Sequence, residues 1–330
     1  MAWSGLTVLV TGAGGFVGSH LVEALVTAGA RVRGFVRYTS QTETDAGWLR
    51  TLPHDLMAHI TVIRGDLRDS SAVLQAMEGC DVVMHLGAVI SIPYSYRHPR
   101  EVVDTNIVGT LNVLEAARKT RPRRVVHASS SEVYGTAQQI PMTERHPLRG
   151  QSPYSASKIA ADKLVESFSR CFDVPMVILR PFNTYGPRQS LRAVVPTIIV
   201  QALADEQMCL GSLHPRRDFT FVQDTVQAFL RAGESPEAVG QEIHLGTGQD
   251  VSIGELAERV MRLVGRSIPI LCDNDRLRPA ASEVERLVAD NGRARTVLDW
   301  EPTVSLDEGL KRTVAWFQEH LPLYRAAYRV

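Results

Sequence analysis

Apolar residues come in two rhythms along the first half of the chain. Short β-branched runs, LTVLV at 6–10, ARVRGFV at 30–36, ITVIRG at 60–65, DVVMHLG at 81–87, RRVVHASS at 123–130 and VPMVILRP at 174–181, read as strands. Between them, residues 15–29, 70–78, 99–120 and 153–172 have helical spacing, with NIVGTLNVLEAARK a clear amphipathic example. This alternation predicts βαβ units and a parallel sheet, and right-handed crossovers make that sheet doubly wound. After Pro181 the rhythm changes to loops and isolated elements: a helix at 194–205, an apolar stretch DFTFVQDTVQAFLRA, and helical stretches at 252–264 and 305–319. No repeat, low-complexity tract or long linker separates the halves, so many contacts are expected to cross the boundary near 180.

Composition narrows the function classes. Lysine plus arginine equals aspartate plus glutamate at 36 each, so no global field points to nucleic acid or a membrane surface, while a small anionic ligand stays open. Cys80, Cys171, Cys209 and Cys272 lie far apart without metal-ligand spacing, so reduced thiols and no metal site are expected. MAWSGLTVLVTG enters a strand pattern with neither a basic region nor a long apolar segment, so no targeting signal is expected and the cytoplasm is the expected compartment.

TGAGGFVGSH at 11–20 follows the first strand and opens the first helix, which spaces Gly12, Gly15 and Gly18 as a dinucleotide loop with Phe16 and Val17 beside them. Glycines allow the backbone to approach a pyrophosphate, and the helix N-terminus offers unpaired N–H groups to it. At the end of the second strand an acid would accept hydrogen bonds from a free ribose, but Val36 stands there and Arg37 follows, which favours NADP over NAD. Asp66 and Leu67, after the third strand, are expected at the adenine. The expected organisation is an α/β, doubly wound Rossmann domain over 1–180. Residues 181–330 then form mainly a smaller substrate-binding cap, with room for one strand to return to the sheet.

Tyr154 and Lys158 are four residues apart and so share a helix face. An ammonium beside a phenol favours phenolate and lowers the tyrosine pKa toward the range where it takes a proton from an alcohol. Ser129 and Ser130 end a strand 24 residues before Tyr154 (counted from Ser130), enough chain to return to the same sheet edge and offer a hydroxyl to the same oxygen.

TGAGGFVGSH, HLGA, DTNIVGTLNVLEAA, SSSEVYG, YSASK, RPFNTYGPRQ, RRDFTFVQD and RPAASEVERLVAD occur in this order. Together they resemble the extended short-chain dehydrogenases/reductases that act on nucleotide sugars. GQSPYSASKIAADK, RPFNTYGPRQSLRAVVPTII and SEVERLVADN are most similar to the 4,6-dehydratases of N-acetylglucosamine nucleotides found in legionaminic-acid-type pathways. The resemblance implies that Tyr154 is the base toward the 4-hydroxyl, Lys158 its tuner and a contact of the tightly held NADP or NAD, and Ser130 the hydroxyl partner. It also implies that Glu132 removes the C5 proton, since a 4-ketone acidifies C5–H and a 4-epimerase needs no such base.

Ser131 replaces the aspartate of glucose-type dehydratases, which disfavours dTDP-glucose and leaves a GDP-mannose-like arrangement, with Ser131 on the substrate side. Asn183, Arg188, Arg217 and Arg278 match positions that contact the diphosphate and nucleoside. The substrate is expected to be a UDP- or GDP-hexose such as the N-acetylglucosamine nucleotide. The rivals are a 4-epimerase, a glucuronate-type epimerase or decarboxylase, and a non-catalytic cofactor-binding scaffold. The same resemblance implies a homodimer through helices 99–120 and 153–172.

Overall fold

Successive residues of a strand face opposite sides of a sheet, and here both sides are covered. In the computed structural model, which describes residues 3–37 and 46–325, Val8 and Val10 enter one hydrophobic core while Leu9 enters another. Val126, Val177 and Leu179 join the first, and Val125, Met176 and Ile178 join the second. A strand buried on both faces has no polar side to present, hence the nearly unbroken apolar runs.

Seven parallel strands form the sheet: β1 (Thr7–Thr11), β2 (Arg31–Arg37), β3 (Ile60–Gly65), β4 (Val82–His85), β5 (Arg124–Ala128), β6 (Met176–Pro181) and β7 (Glu242–Leu245), in the spatial order 3-2-1-4-5-6-7. Tyr38 to Ser40 of the segment VRGFVRYTS lie outside the described residues. The order reverses between β1 and β4, which opens a crevice beyond their carboxyl ends, where open α/β sheets bind ligands. On one side lie α1 (Phe16–Thr27) and, far later in the chain, Val222–Glu234; on the other lie α2 (Ser70–Met77) and two longer helices described next.

Residues 99–120 are not one regular helix. They comprise Pro99–Val103, a π-helical turn at Asp104–Val108, and Gly109–Thr120. The 153–172 stretch is a single helix, Pro153–Phe172. SIPYSY at 91–96 is also helical: Ile92–Arg97 begins with Ser91 accepting a hydrogen bond from the Tyr94 N–H and with Pro93 in its first turn. A capping serine followed by an early proline is a helix start. These helices are hereafter α3 (Ile92–Arg97), α4 (Pro99–Val103), α5 (Gly109–Thr120) and α6 (Pro153–Phe172).

DFTFVQDTVQAFLRA splits into a short strand, Phe219–Phe221, and the helix Val222–Glu234 that packs against α1. This helix and β7 therefore bring sequence from beyond Pro181 into the sheet layers. Three further C-terminal helices, Val194–Ala204, Ile253–Val264 and Leu306–Arg325, pack on one another. The buried Asp218 carboxylate accepts from the backbone of Thr247, Gly248 and Ala289 and from the Thr247 hydroxyl at 2.6–3.2 Å, clamping three loops beside the crevice. Among the described residues no helix is long and apolar enough to cross a membrane.

Candidate active site

The glycine loop closes against the β4 end. Gly12 has φ +71°, and a Cβ there would lie 2.9 Å from the Gly87 Cα; one at Gly18 would lie 2.2 Å from the Gly12 carbonyl oxygen. Gly15 precedes α1 without a side-chain cap, so the first-turn N–H groups, at Phe16 and Val17 onward, remain available to an anion. A close-approach loop, an uncapped helix start and the switch-point crevice together fit the pyrophosphate of a dinucleotide.

At the adenosine end the expected contacts are partly engaged within the chain. Asp66 is gripped by Arg68 through side-chain bonds of 2.9 and 2.6 Å, which holds its carboxyl below the usual carboxylate range. Leu67 lies close to Gly87 and Gly109, and its carbonyl accepts from Asn112 at 2.8 Å. Arg37, at the end of β2, is ion-paired with Glu101 of α4 at 2.9 Å.

Ser-Pro-Tyr-Ser starts α6. Ser152 accepts from the Ser155 N–H at 3.1 Å, and the Ser155 hydroxyl accepts from the Ser152 N–H at 2.9 Å, a reciprocal cap with Pro153 in the first turn. This places Tyr154 in the first turn and Lys158 one turn later, both almost fully buried. The Ser130 hydroxyl lies near enough to the Tyr154 phenol to favour its ionised form, so Ser130, Tyr154 and Lys158 come together at the end of β5. Burial pushes the phenol up to about 12, opposed by the nearby Ser130 hydroxyl and reinforced by the charge of Glu132. Burial likewise lowers Lys158 to about 8, and its ammonium donates to the Ala128 carbonyl at 2.5 Å. The tyrosine is thus raised and not lowered as the Tyr–Lys spacing predicts, because desolvation of the phenol outweighs the one opposing influence, that of Ser130.

After β5 the chain makes one 3-10 turn, Ser131–Tyr134, capped by Ser130 accepting from the Glu132 N–H at 3.2 Å. Ser131 is buried. The Glu132 carboxylate lies 3.6 Å from Arg278. Arg278 and the buried Arg217 both approach Glu283, at 3.9 and 3.7 Å, distances too long for strong hydrogen bonds. Asn183 keeps a buried side-chain oxygen without a protein partner. Ser131, Glu132, Arg217 and Arg278 are therefore neighbours at one end of the crevice. Arg188 is instead turned to Glu23 of α1 at 2.9 Å.

Two supporting features escaped the sequence. The π-helical turn buries Asn106, whose side chain bonds both backbone groups of Val89 and the Ser157 hydroxyl at 2.8–3.0 Å, pinning the segment after β4 to α6. A polar residue inside the apolar stripe of DTNIVGTLNVLEAA was the available signal. Beneath the tyrosine helix, the Asp162 carboxylate accepts from Ser129 at 2.7 Å and from fully buried Arg180 at 2.9 and 3.2 Å. Arg180 also reaches the Tyr134 hydroxyl at 2.6 Å and Glu242 at 2.7 Å. Breaking such a buried pair by removing one partner typically costs ~3–5 kcal/mol.

Sheet order, glycine cradle and the Ser-Tyr-Lys corner define an extended short-chain dehydrogenase/reductase. The model of the GDP-mannose 4,6-dehydratase family matches residues 9–313, and the chain belongs to this family of NAD-dependent nucleotide-sugar dehydratases and epimerases. It is 34% identical over 316 residues to a UDP-glucose 4-epimerase of Mycolicibacterium smegmatis, covering 94% of this chain and 98% of that one. An epimerase of Methanothermobacter thermautotrophicus superposes with a TM-score of 0.90 at 31% identity, covering 99% of this chain and 96% of the other. The dTDP-glucose 4,6-dehydratase DesIV of Streptomyces venezuelae, solved with NAD, gives 0.87 at 26% identity over 97% and 99%.

Proposed function

We propose that the protein is a nucleotide-sugar 4,6-dehydratase, and the observation that carries this is the Glu132 carboxylate placed beside Tyr154 and Arg278 at the mouth of the crevice. The cofactor, held by Gly12, Gly15, Phe16, Val17, Gly18, Leu67 and Lys158, supplies hydride acceptance and return when bound. The residues of the chain do the rest. Tyr154 takes the 4-hydroxyl proton while Ser130 holds the same oxygen. The resulting 4-ketone acidifies C5–H, and Glu132 removes that proton so that water leaves C6. Arg217 and Arg278 hold the diphosphate, with Asn183 as a further donor, and Ser131 lines the substrate side. A UDP- or GDP-hexose fits this arrangement.

The second reading, a 4-epimerase, draws support from the M. smegmatis relative and needs only Ser130, Tyr154 and Lys158. Incubation with UDP-, GDP-, CDP- and dTDP-hexoses, followed by product mass, discriminates them. Loss of one water is the expected result, while an unchanged mass with inverted stereochemistry would establish the epimerase.

The cofactor is read as NADP or NAD, with Arg37 facing the ribose 2′ position. The assembly is read as a homodimer through α4–α5 and α6. Val103 and Val108 are 38% and 41% exposed there, an apolar surface that a partner copy would cover. Ala161 is fully buried in its own chain and is not part of that face. Light scattering should give twice the 36.4 kDa chain mass, and the double variant Val103→Asp/Val108→Asp should shift it to the single mass. A monomeric, fully active wild type would refute the dimer.

A further inference from the structure

We propose that Glu101 is a specificity-determining residue: standing on α4, it replaces in space the acid missing from the end of β2, and by holding Arg37 it weakens selection for the phosphorylated cofactor. This deepens the cofactor reading above and rests on Arg37 facing the ribose 2′ position.

Three observations carry it. Val36 leaves the usual acidic position apolar, yet a carboxylate from another element arrives at the neighbouring Arg37 with a contact of 2.9 Å. That carboxylate is anchored, since its second oxygen accepts from the Tyr94 hydroxyl of α3. The side chain of Glu101 is 23% exposed against 60% for Arg37, so the arginine is the partner free to move. The pair borders a cavity of about 530 Å³ also lined by Arg68, Arg97, His98 and Arg100. Arg68 is already committed to Asp66.

A ribose 2′-hydroxyl donates to a fixed carboxylate without any charge being displaced. A 2′-phosphate must instead draw Arg37 away from Glu101 and lie beside an anchored like charge, which opposes its binding. Removing the charge on Glu101 frees Arg37 for the phosphate's oxygens, to which a guanidinium fork is suited.

The test is competitive loading. The protein is exchanged against equal concentrations of NAD and NADP, desalted, and the bound dinucleotides are counted by mass spectrometry. Glu101→Gln keeps the shape of the side chain and should raise the NADP:NAD ratio about tenfold, the scale of one adjacent charge. Tyr94→Phe, which releases the carboxylate from its anchor, should raise it by a smaller factor. Arg37→Ala should lower it. If Arg37→Ala lowers the ratio but Glu101→Gln and Tyr94→Phe leave it within about twofold of wild type, the role of Glu101 is overturned while the reading of Arg37 stands. If Arg37→Ala leaves the ratio unchanged, both fall.

Discussion

Tyr154→Phe is expected to lower turnover at least about a hundredfold while the purified protein keeps its normal dinucleotide content. Phenylalanine removes the phenolic oxygen assigned as the base and preserves the ring in a nearly sealed site. A phenol raised to about 12 holds its proton at neutral pH, so its use as a base depends on a cation coming closer. Lys158 is that cation, and it now spends its charge on the Ala128 carbonyl. Lys158→Met should therefore reproduce much of the loss. Dinucleotide content and turnover measured on the same preparations check both variants, and near-normal turnover in Tyr154→Phe removes the assigned base.

Glu132→Gln should divide the reaction at its middle. The amide keeps the shape and the neighbourhood of Arg278 but accepts no proton, so water loss should fall at least about a hundredfold while the 4-ketone still forms. In deuterated water the wild type should exchange the C5 hydrogen of its product and the variant should not. Mass spectrometry of the sugar reads both. The present contact with Arg278, at 3.6 Å, fits a carboxylate that is released when a diphosphate engages the arginine. Water loss at the wild-type rate would make Glu132 structural and favour epimerisation.

The chemistry was legible wherever it lies within one local segment. TGAGGFVG carries strand, turn and helix start in a few residues, and SPYSASK carries its own cap, so spacing alone positions Tyr154 and Lys158. The strand runs were legible for a related reason, because burial on both faces leaves a continuous apolar trace. What could not be read were pairings between segments. Nothing in VPMVILRP says that its arginine will be fully buried, since its stabilising carboxylate, Asp162, belongs to another element and Glu242 to a strand far downstream. Arg37 was visible as a cation after β2, but its partner Glu101 comes from α4. Asn106 points inward through a π-helical turn, and periodicity at 3.6 residues does not anticipate that. The Tyr154 pKa was misjudged because spacing reports a neighbour and says nothing of desolvation.

The late arrival of β7 bears on how the polypeptide matures on the ribosome. When residues 1–181 have emerged, β6 is an open edge, a template for mispairing, and Arg180 and Tyr134 still lack Glu242 and His244. The helix that will cover α1, Val222–Glu234, also has yet to be made. The nascent sheet thus waits for some sixty more residues, several seconds of synthesis at ordinary elongation rates, before its edge is paired and its buried arginine is fully neutralised. During that interval the chain is most exposed to aggregation, and chaperone capture there would favour the yield of folded enzyme.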